Sequence, residues 1–166
     1  MHRSSRKAGV AATWSSAGGA TLAIALALGC ARAVAEQPVN TGYFGGVAIM
    51  GYDPVAYFTD RRAVKGSEEF AYEWLGTPWY FASREHRELF MRDPVRYAPQ
   101  YGGFCVGEIA FQGATMNIDP EAWRIVDGKL YLSYDQTTAA HTAAFLRKAE
   151  ANWPAVKEKL AQDGFQ

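Results

Sequence analysis

Two pairs of aromatic and apolar runs, each pair divided by a short turn, constrain the fold of this chain most. The first pair lies on either side of Gly76-Thr77, and the second on either side of Asp127-Gly128. Aromatic residues suit a half-buried pleated surface, and Asp-Gly between alternating apolar runs is a strong hairpin signal. The sequence therefore predicts two β-hairpins.

Helical patterns lie between and after these hairpins. Ser83 stands directly before the first one, where its side chain can cap a helix, and Pro94 predicts a helix end near Arg92 and a second start at Pro94. The C-terminal part turns helical again, and Pro154 is expected to start or kink the last helix. We expect an α+β fold: a small domain of two β-hairpins with a short helix between them and a helical C-terminus.

Four aromatic residues of the first hairpin and its following helix are expected to form the core together. They are Trp74, Tyr80, Phe81 and Phe90. The hairpin should lie over the helix that follows it, so that all four side chains are buried.

The first 35 residues resemble a secretory signal peptide. A charged start at 1–7 and an apolar run at 20–28 precede Ala33-Val34-Ala35, the small-x-small pattern that signal peptidase cleaves. A retained membrane anchor is the alternative, but the first half of the uncharged stretch is rich in Gly, Ser and Ala, whereas a spanning helix needs about 20 strongly apolar residues. Since no twin-arginine pair precedes the apolar run, we predict export by the general secretory route, to the periplasm or outside the cell.

The predicted organisation is a signal peptide at 1–35, a linker at 36–46 and one domain at 47–162. The signal segment holds four of the 17 bases and none of the 17 acids, so the exported part carries 13 bases against 17 acids. This balance argues against a nucleic-acid-binding groove, and we expect no membrane contact after cleavage. Cys105 is the only cysteine left, so a packed core rather than a disulfide must hold the domain.

Four short motifs resemble the YHS-domain family, most closely its exported single-domain members. The likeness covers about Val47 to Leu160, and its motifs are Gly51-Tyr-Asp-Pro-Val-Ala-Tyr-Phe58, Tyr80-Phe-Ala-Ser83, Phe90 with Asp93-Pro-x-x-Tyr97, and Gly128-Lys-Leu-Tyr-Leu132. The resemblance implies a small α+β domain. It also implies an association with soft metal ions, copper among them.

The chain departs from this family at the cysteine positions. Metal-binding relatives carry cysteines in patterns resembling Asp-Pro-Val-Cys and Phe-Cys-Ser-x-x-Cys, whereas this chain has Ala56 and Ala82 at two of the three positions and His86 at the third. The resemblance therefore implies the fold but not the thiolate site.

His86 and Cys105 are the candidate metal ligands. His86 lies in the first turn of the predicted helix, three residues after Ser83, and a neutral imidazole is a common metal ligand. Cys105 follows Gly102-Gly103, where backbone can approach a ligand closely, and a thiolate with an imidazole suits copper(I) or zinc. The alternatives are a half-buried histidine bonded to backbone and a buried, unreactive thiol.

Asp53 and Tyr101 are candidate supporting groups for this site, and Met50 and Met116 are further thioether candidates that more commonly fill cores. His141 has no second ligand beside it and is expected at the surface.

Two functional hypotheses follow. The first is an exported module that binds or handles a transition metal, copper or zinc, through His86 and Cys105. The second is an interaction or structural module, with an unknown protein partner, that keeps the fold without the thiolate site. We find no catalytic motif and predict no enzymatic activity.

Overall fold

The computed structural model describes residues 38–136 and 143–163. The predicted signal peptide lies outside these ranges. Besides two short turns at Ala48–Gly51 and Gln100–Gly103, the elements are α1 (Ala56–Thr59), β1 (Ser67–Trp74), β2 (Thr77–Phe81), α2 (Arg84–Arg92), α3 (Pro94–Tyr97), α4 (Val106–Gln112), β3 (Asp119–Val126), β4 (Lys129–Ser133) and α5 (Ala143–Asp163). The fold is α+β, as predicted. None of the helices in the described ranges is long and apolar enough to cross a membrane.

Both predicted hairpins are present, as two separate two-stranded antiparallel sheets. Strand β1 pairs with β2, and β3 pairs with β4. The first turn falls on Leu75-Gly76, one residue earlier than predicted, and the second on Asp127-Gly128; all four residues have positive φ. Two consecutive positive φ values give the turn a twist that matches the right-handed twist of the strands.

The core of the first hairpin differs from the prediction at two residues, because Trp74 and Tyr80 are only half-buried. Phe81 and Phe90 are fully buried, but the third buried aromatic is Trp79, whereas Tyr80 is only half-buried. Side chains alternate along a strand, so Trp79 and Phe81 share the core face and Tyr80 points away from it. The ring centroids of Trp79 and Phe81 lie 5.3 and 5.1 Å from that of Phe90, and Trp74 packs at the edge of the cluster, 5.5 Å away.

Strand β4 joins two hydrophobic clusters. Leu130 and Leu132 pack in the cluster of the first hairpin and α2, while Tyr131 packs in a second cluster with α4 and α5. The period of two along a strand explains this division, because successive side chains leave opposite faces. The domain core is therefore continuous through one five-residue strand.

The helices of the described residues are more numerous than predicted. Helix α2 begins and ends as expected, with the Ser83 hydroxyl accepting the N–H of His86 at 3.2 Å, and α3 begins at Pro94. Helices α1 and α4 were not predicted. Pro154 lies inside the single long helix α5 rather than at a boundary.

Residues 38–40 pack onto the domain, although the sequence suggested a linker there. Asn40 is buried and connects the two short turns: its N–H donates to the Gly102 carbonyl at 2.9 Å, its amide donates to the Gly103 carbonyl at 3.0 Å, and its carbonyl accepts the N–H of Ile49 at 2.7 Å. Both turns are left-handed, and Ile49 has a φ of 42°, which is unusual for a β-branched residue. The buried contacts of Asn40 hold this conformation.

Candidate functional site

Asp53 is a fully buried carboxylate between the Ala48–Gly51 turn and α1. Its Oδ1 accepts the N–H groups of Val55 and Ala56 at 2.8 and 3.3 Å, and its Oδ2 accepts the N–H of Ala82 at 2.8 Å. The Nδ1 of His86 lies 2.6 Å from the same Oδ2. Charged hydrogen bonds of this kind satisfy a buried carboxylate, so Asp53 connects α1, the end of β2 and the start of α2.

The other ring nitrogen of His86 faces the end of α1. Its Nε2 lies 3.2 Å from the Thr59 hydroxyl and 3.7 Å from Oδ1 of Asp60. The His86 side chain is 15% exposed and that of Asp60 is 32% exposed, so Nε2 lies close to solvent. His86 thus has polar neighbours at both nitrogens, all of them from the segment 53–60 or its own helix.

Cys105 lies elsewhere, at the residue before α4. It is buried, and its Sγ accepts the backbone N–H of Tyr134 at 3.3 Å. Its own N–H donates to the carbonyl of Met116 at 3.0 Å. These two bonds hold Cys105, at the start of α4, against the residue Met116 before the second hairpin and the residue Tyr134 after it.

A cavity of about 400 Å³ opens beside Cys105. Met116 also borders it, as do the exposed aromatic side chains of Phe111 and Tyr134. Its polar lining comes from Glu108, Gln112 and Asp135. A thiol and a thioether residue therefore share one solvent-accessible space.

The side chain of Tyr101 contacts residues other than His86 and Cys105. Its hydroxyl donates to Oε2 of Glu150 at 3.1 Å, and its ring packs against Trp153 in the second cluster. Burial, together with the charge of Glu150, raises the pKa of Tyr101 well above its usual range. Tyr101 anchors α5 through Glu150 and Trp153. His141 lies outside the described residues.

Of the predicted site residues, the structure brings Asp53 and His86 into contact. Cys105 has a different set of partners, and no hydrogen bond joins it to His86. Across residues 38–136 and 143–163, no group of three or more His, Cys, Asp or Glu side chains could hold a metal ion. The shared His86–Cys105 site stays a prediction without a contact in its favour.

Sequence reasoning missed Thr59 and Asp60 as neighbours of His86. They end α1, a one-turn helix whose local pattern is too short to recognise. The motif Gly51–Phe58 did contain a signal for this helix, because Asp53-Pro54 is typical of a turn or a capped helix start. One helical turn that starts at Ala56 then places Thr59 on the side of the helix that Asp53 caps.

Comparison of the chain with models of protein families, with curated proteins and with solved structures gave no match. The resemblance to the YHS-domain family therefore rests on the four sequence motifs. The functional argument rests on the geometry of the two sites.

Proposed function

We propose that this protein is an exported YHS-like module that binds a soft transition metal, copper(I), in the cavity beside Cys105. The observation that carries the proposal is that Cys105 and Met116 border the same cavity. Thiolate and thioether sulfurs are the ligands that select copper(I). The YHS resemblance, with its association with copper, points the same way.

The position of the thiol supports a ligand role. The Tyr134 N–H donates to Sγ and so fixes the position of the sulfur, and a cysteine sulfur binds metal as the thiolate. Cys105 belongs to the buried core, yet it also borders the cavity, so a ligand in the cavity would lie beside it.

Met116 supplies the second soft donor. It is half-buried, and the hydrogen bond from the Cys105 N–H to its carbonyl keeps the two residues side by side. The nearby carboxylate of Glu108, which also borders the cavity, adds negative charge that attracts a cation. His86 is not needed for this site, because Asp53 and the end of α1 engage both of its nitrogens.

Export is part of the proposal. The segment 1–35 would direct the chain through the general secretory route to the periplasm or the exterior, where a lone buried thiol bound to metal avoids oxidation.

Titration of the purified exported protein with copper(I) under reducing conditions, against a competing chelator, tests the proposal. One equivalent should bind to the wild type and none to Cys105→Ser. Met116→Leu keeps the volume of the side chain but removes the sulfur, so affinity should fall by on the order of tenfold or more.

Two control variants locate the site. Met50→Leu makes the same change at a half-buried methionine that does not border the cavity, and His86→Gln removes the imidazole; both should bind copper(I) as the wild type does. Binding that survives in Cys105→Ser would refute the proposal. No binding to the wild type would favour the alternative, an interaction module without metal.

A further inference from the structure

Asn40 is a buried polar residue, and every polar group that it carries has a hydrogen-bond partner. Its backbone N–H and its side-chain amide donate to the carbonyls of Gly102 and Gly103, at 2.9 and 3.0 Å. Its backbone carbonyl accepts the N–H of Ile49 at 2.7 Å, and its Oδ1 accepts the N–H of Gly42 at 2.9 Å. A buried side chain with a full set of partners holds the backbone around it in one arrangement.

The two carbonyls that receive these hydrogen bonds belong to a turn in an unfavourable conformation. Tyr101 has a φ of 56°, and Gly102 and Gly103 follow with 65° and 82°. A left-handed conformation is costly for a residue with a side chain, and it persists only where the surroundings hold it. A Cβ at Gly102 would lie 1.8 Å from the carbonyl oxygen of Pro38, and one at Gly103 would lie 2.5 Å from Cγ2 of Ile49. The turn therefore depends on the chain segments that are packed against it.

Cys105 follows this turn after a single residue, Phe104. The N–H of Phe104 donates to the carbonyl of Tyr101 at 3.2 Å, and the N–H of Cys105 donates to the carbonyl of Met116 at 3.0 Å. The backbone between the Gly103 carbonyl and the thiol residue is therefore short and hydrogen-bonded at each step. A turn that relaxes would pull on Cys105 and on its contact with Met116.

From these contacts we propose that Asn40 is a positioning residue for the copper(I) site. Its bonds to the carbonyls of Gly102 and Gly103 hold Cys105 where the residue borders the cavity, although Asn40 itself does not line the cavity. This inference rests on the proposed function, because it names a residue that sets the geometry of the same site without touching the metal. Loss of a residue that orients a metal ligand typically lowers metal affinity by about 10- to 100-fold.

The rate at which Cys105 reacts with a thiol reagent tests the inference without copper. Cys105 is the only cysteine of residues 36–166, so the reaction in the exported protein reports on this residue alone. Labelling over a series of urea concentrations separates local opening from global unfolding, because only global unfolding depends steeply on urea. At low urea, Asn40→Ala should react at least about tenfold faster than the wild type, since its turn opens locally.

Tyr57→Phe is the matched control, because it also removes a buried hydrogen bond from a side chain to a backbone carbonyl. The Tyr57 hydroxyl donates to the carbonyl of Pro120 at 3.0 Å. This variant should be less stable than the wild type, yet its labelling at low urea should equal that of the wild type. If Asn40 contributes only to global stability, the two variants will show the same labelling at low urea, and that result would overturn the inference.

Copper(I) affinity is the second readout, measured at a temperature at which all variants are folded. It should fall by about tenfold or more in Asn40→Ala and stay unchanged in Tyr57→Phe. An unchanged affinity in Asn40→Ala would also overturn the inference. If copper(I) does not bind to the wild type, the proposed function fails, and the labelling rates alone decide whether Asn40 holds Cys105 in place.

Hydrogen exchange in the wild type covers the case in which Asn40→Ala does not fold. Coupling between a binding site and a distant residue is reciprocal, so copper(I) should slow the exchange of the backbone N–H groups of Asn40 and Ile49. The N–H of Asp60, which donates to the carbonyl of Ala56 at 2.8 Å at the end of α1, is the control and should exchange at the same rate with and without copper(I). An unchanged rate at Asn40 on copper(I) binding would contradict the coupling.

Discussion

Nδ1 of His86 donates to Oδ2 of Asp53 across 2.6 Å, although the two residues are 33 positions apart in the chain. The bond joins the start of α2 to the segment before α1, and the carboxylate accepts three backbone N–H groups in addition. The two segments that resemble the YHS metal motifs are thus organised here around a carboxylate and an imidazole.

Replacing Asp53 by Asn should destabilise the domain by about 2–3 kcal/mol, because the amide NH2 would face the N–H of Ala82 and Nδ1–H of His86. Urea unfolding of Asp53→Asn measures the loss. The same change at Asp127, an exposed turn residue, serves as the control and should be nearly neutral. Equal stability of the two variants would show that the Asp53 bonds contribute little.

Phe81→Ala should cost on the order of 3–5 kcal/mol, the usual range for a fully buried aromatic residue. Tyr80→Ala, at the neighbouring position on the opposite face of β2, should cost distinctly less. Chemical denaturation of the two variants tests the strand register. A larger loss in Tyr80→Ala would mean that the first hairpin packs through its other face.

Gly102→Ala should destabilise the domain much more than Gly113→Ala. Both glycines have a φ near 60–65°, but a Cβ at Gly102 would lie 1.8 Å from the carbonyl oxygen of Pro38, whereas one at Gly113 would meet open space. The left-handed conformation alone costs roughly 1–2 kcal/mol. Thermal unfolding of both variants gives the cost of the contact with residues 38–40 as the difference between the two losses of stability, because the backbone cost is common to both. Similar losses in the two variants would show that this contact is weak in solution.

Stability should fall as the pH rises above about 10, the pKa of an unfolded tyrosine. Burial raises the pKa of Tyr57 well above that range, so the folded state keeps a proton that the unfolded state releases. The contribution is fully present below pH 10 and is lost above it. Tyr57→Phe should reduce the slope of unfolding free energy against alkaline pH; an unchanged slope would contradict this origin.

Mass spectrometry of the exported protein should give Glu36 as its first residue, because Ala33-Val34-Ala35 is the predicted cleavage signal. A mass that retains the apolar run 20–28 would instead indicate a membrane anchor.

The elements that sequence predicted correctly are those with a local cause. The second hairpin turn requires only that Asp127 and Gly128 adopt positive φ. Ser83 caps α2 by accepting the N–H of His86, three residues later in the chain. Such features depend on neighbours in the chain, so one sequence is enough to find them.

The features that sequence did not predict depend on distant contacts. Ile49 adopts a left-handed conformation that its own side chain disfavours, and the bonds of Asn40 to the Gly102–Gly103 turn, about 60 residues away, help to hold it. Tyr80 and Phe81 are both aromatic, and the way the strand packs decides which of these two neighbours faces the core. The candidate site at Cys105 also depends on a contact that the sequence does not reveal: the Met116 carbonyl, on the other side of α4, accepts the N–H of Cys105.

X-ray absorption at the copper edge, on protein loaded with one equivalent of copper(I), tests the central proposal most directly. Coordination through Cys105 and Met116 predicts sulfur scatterers in the first shell, without the multiple scattering of an imidazole ring, and the same spectrum for His86→Gln. A spectrum with an imidazole ligand that disappears in His86→Gln would contradict the proposal and would favour the shared His86–Cys105 site.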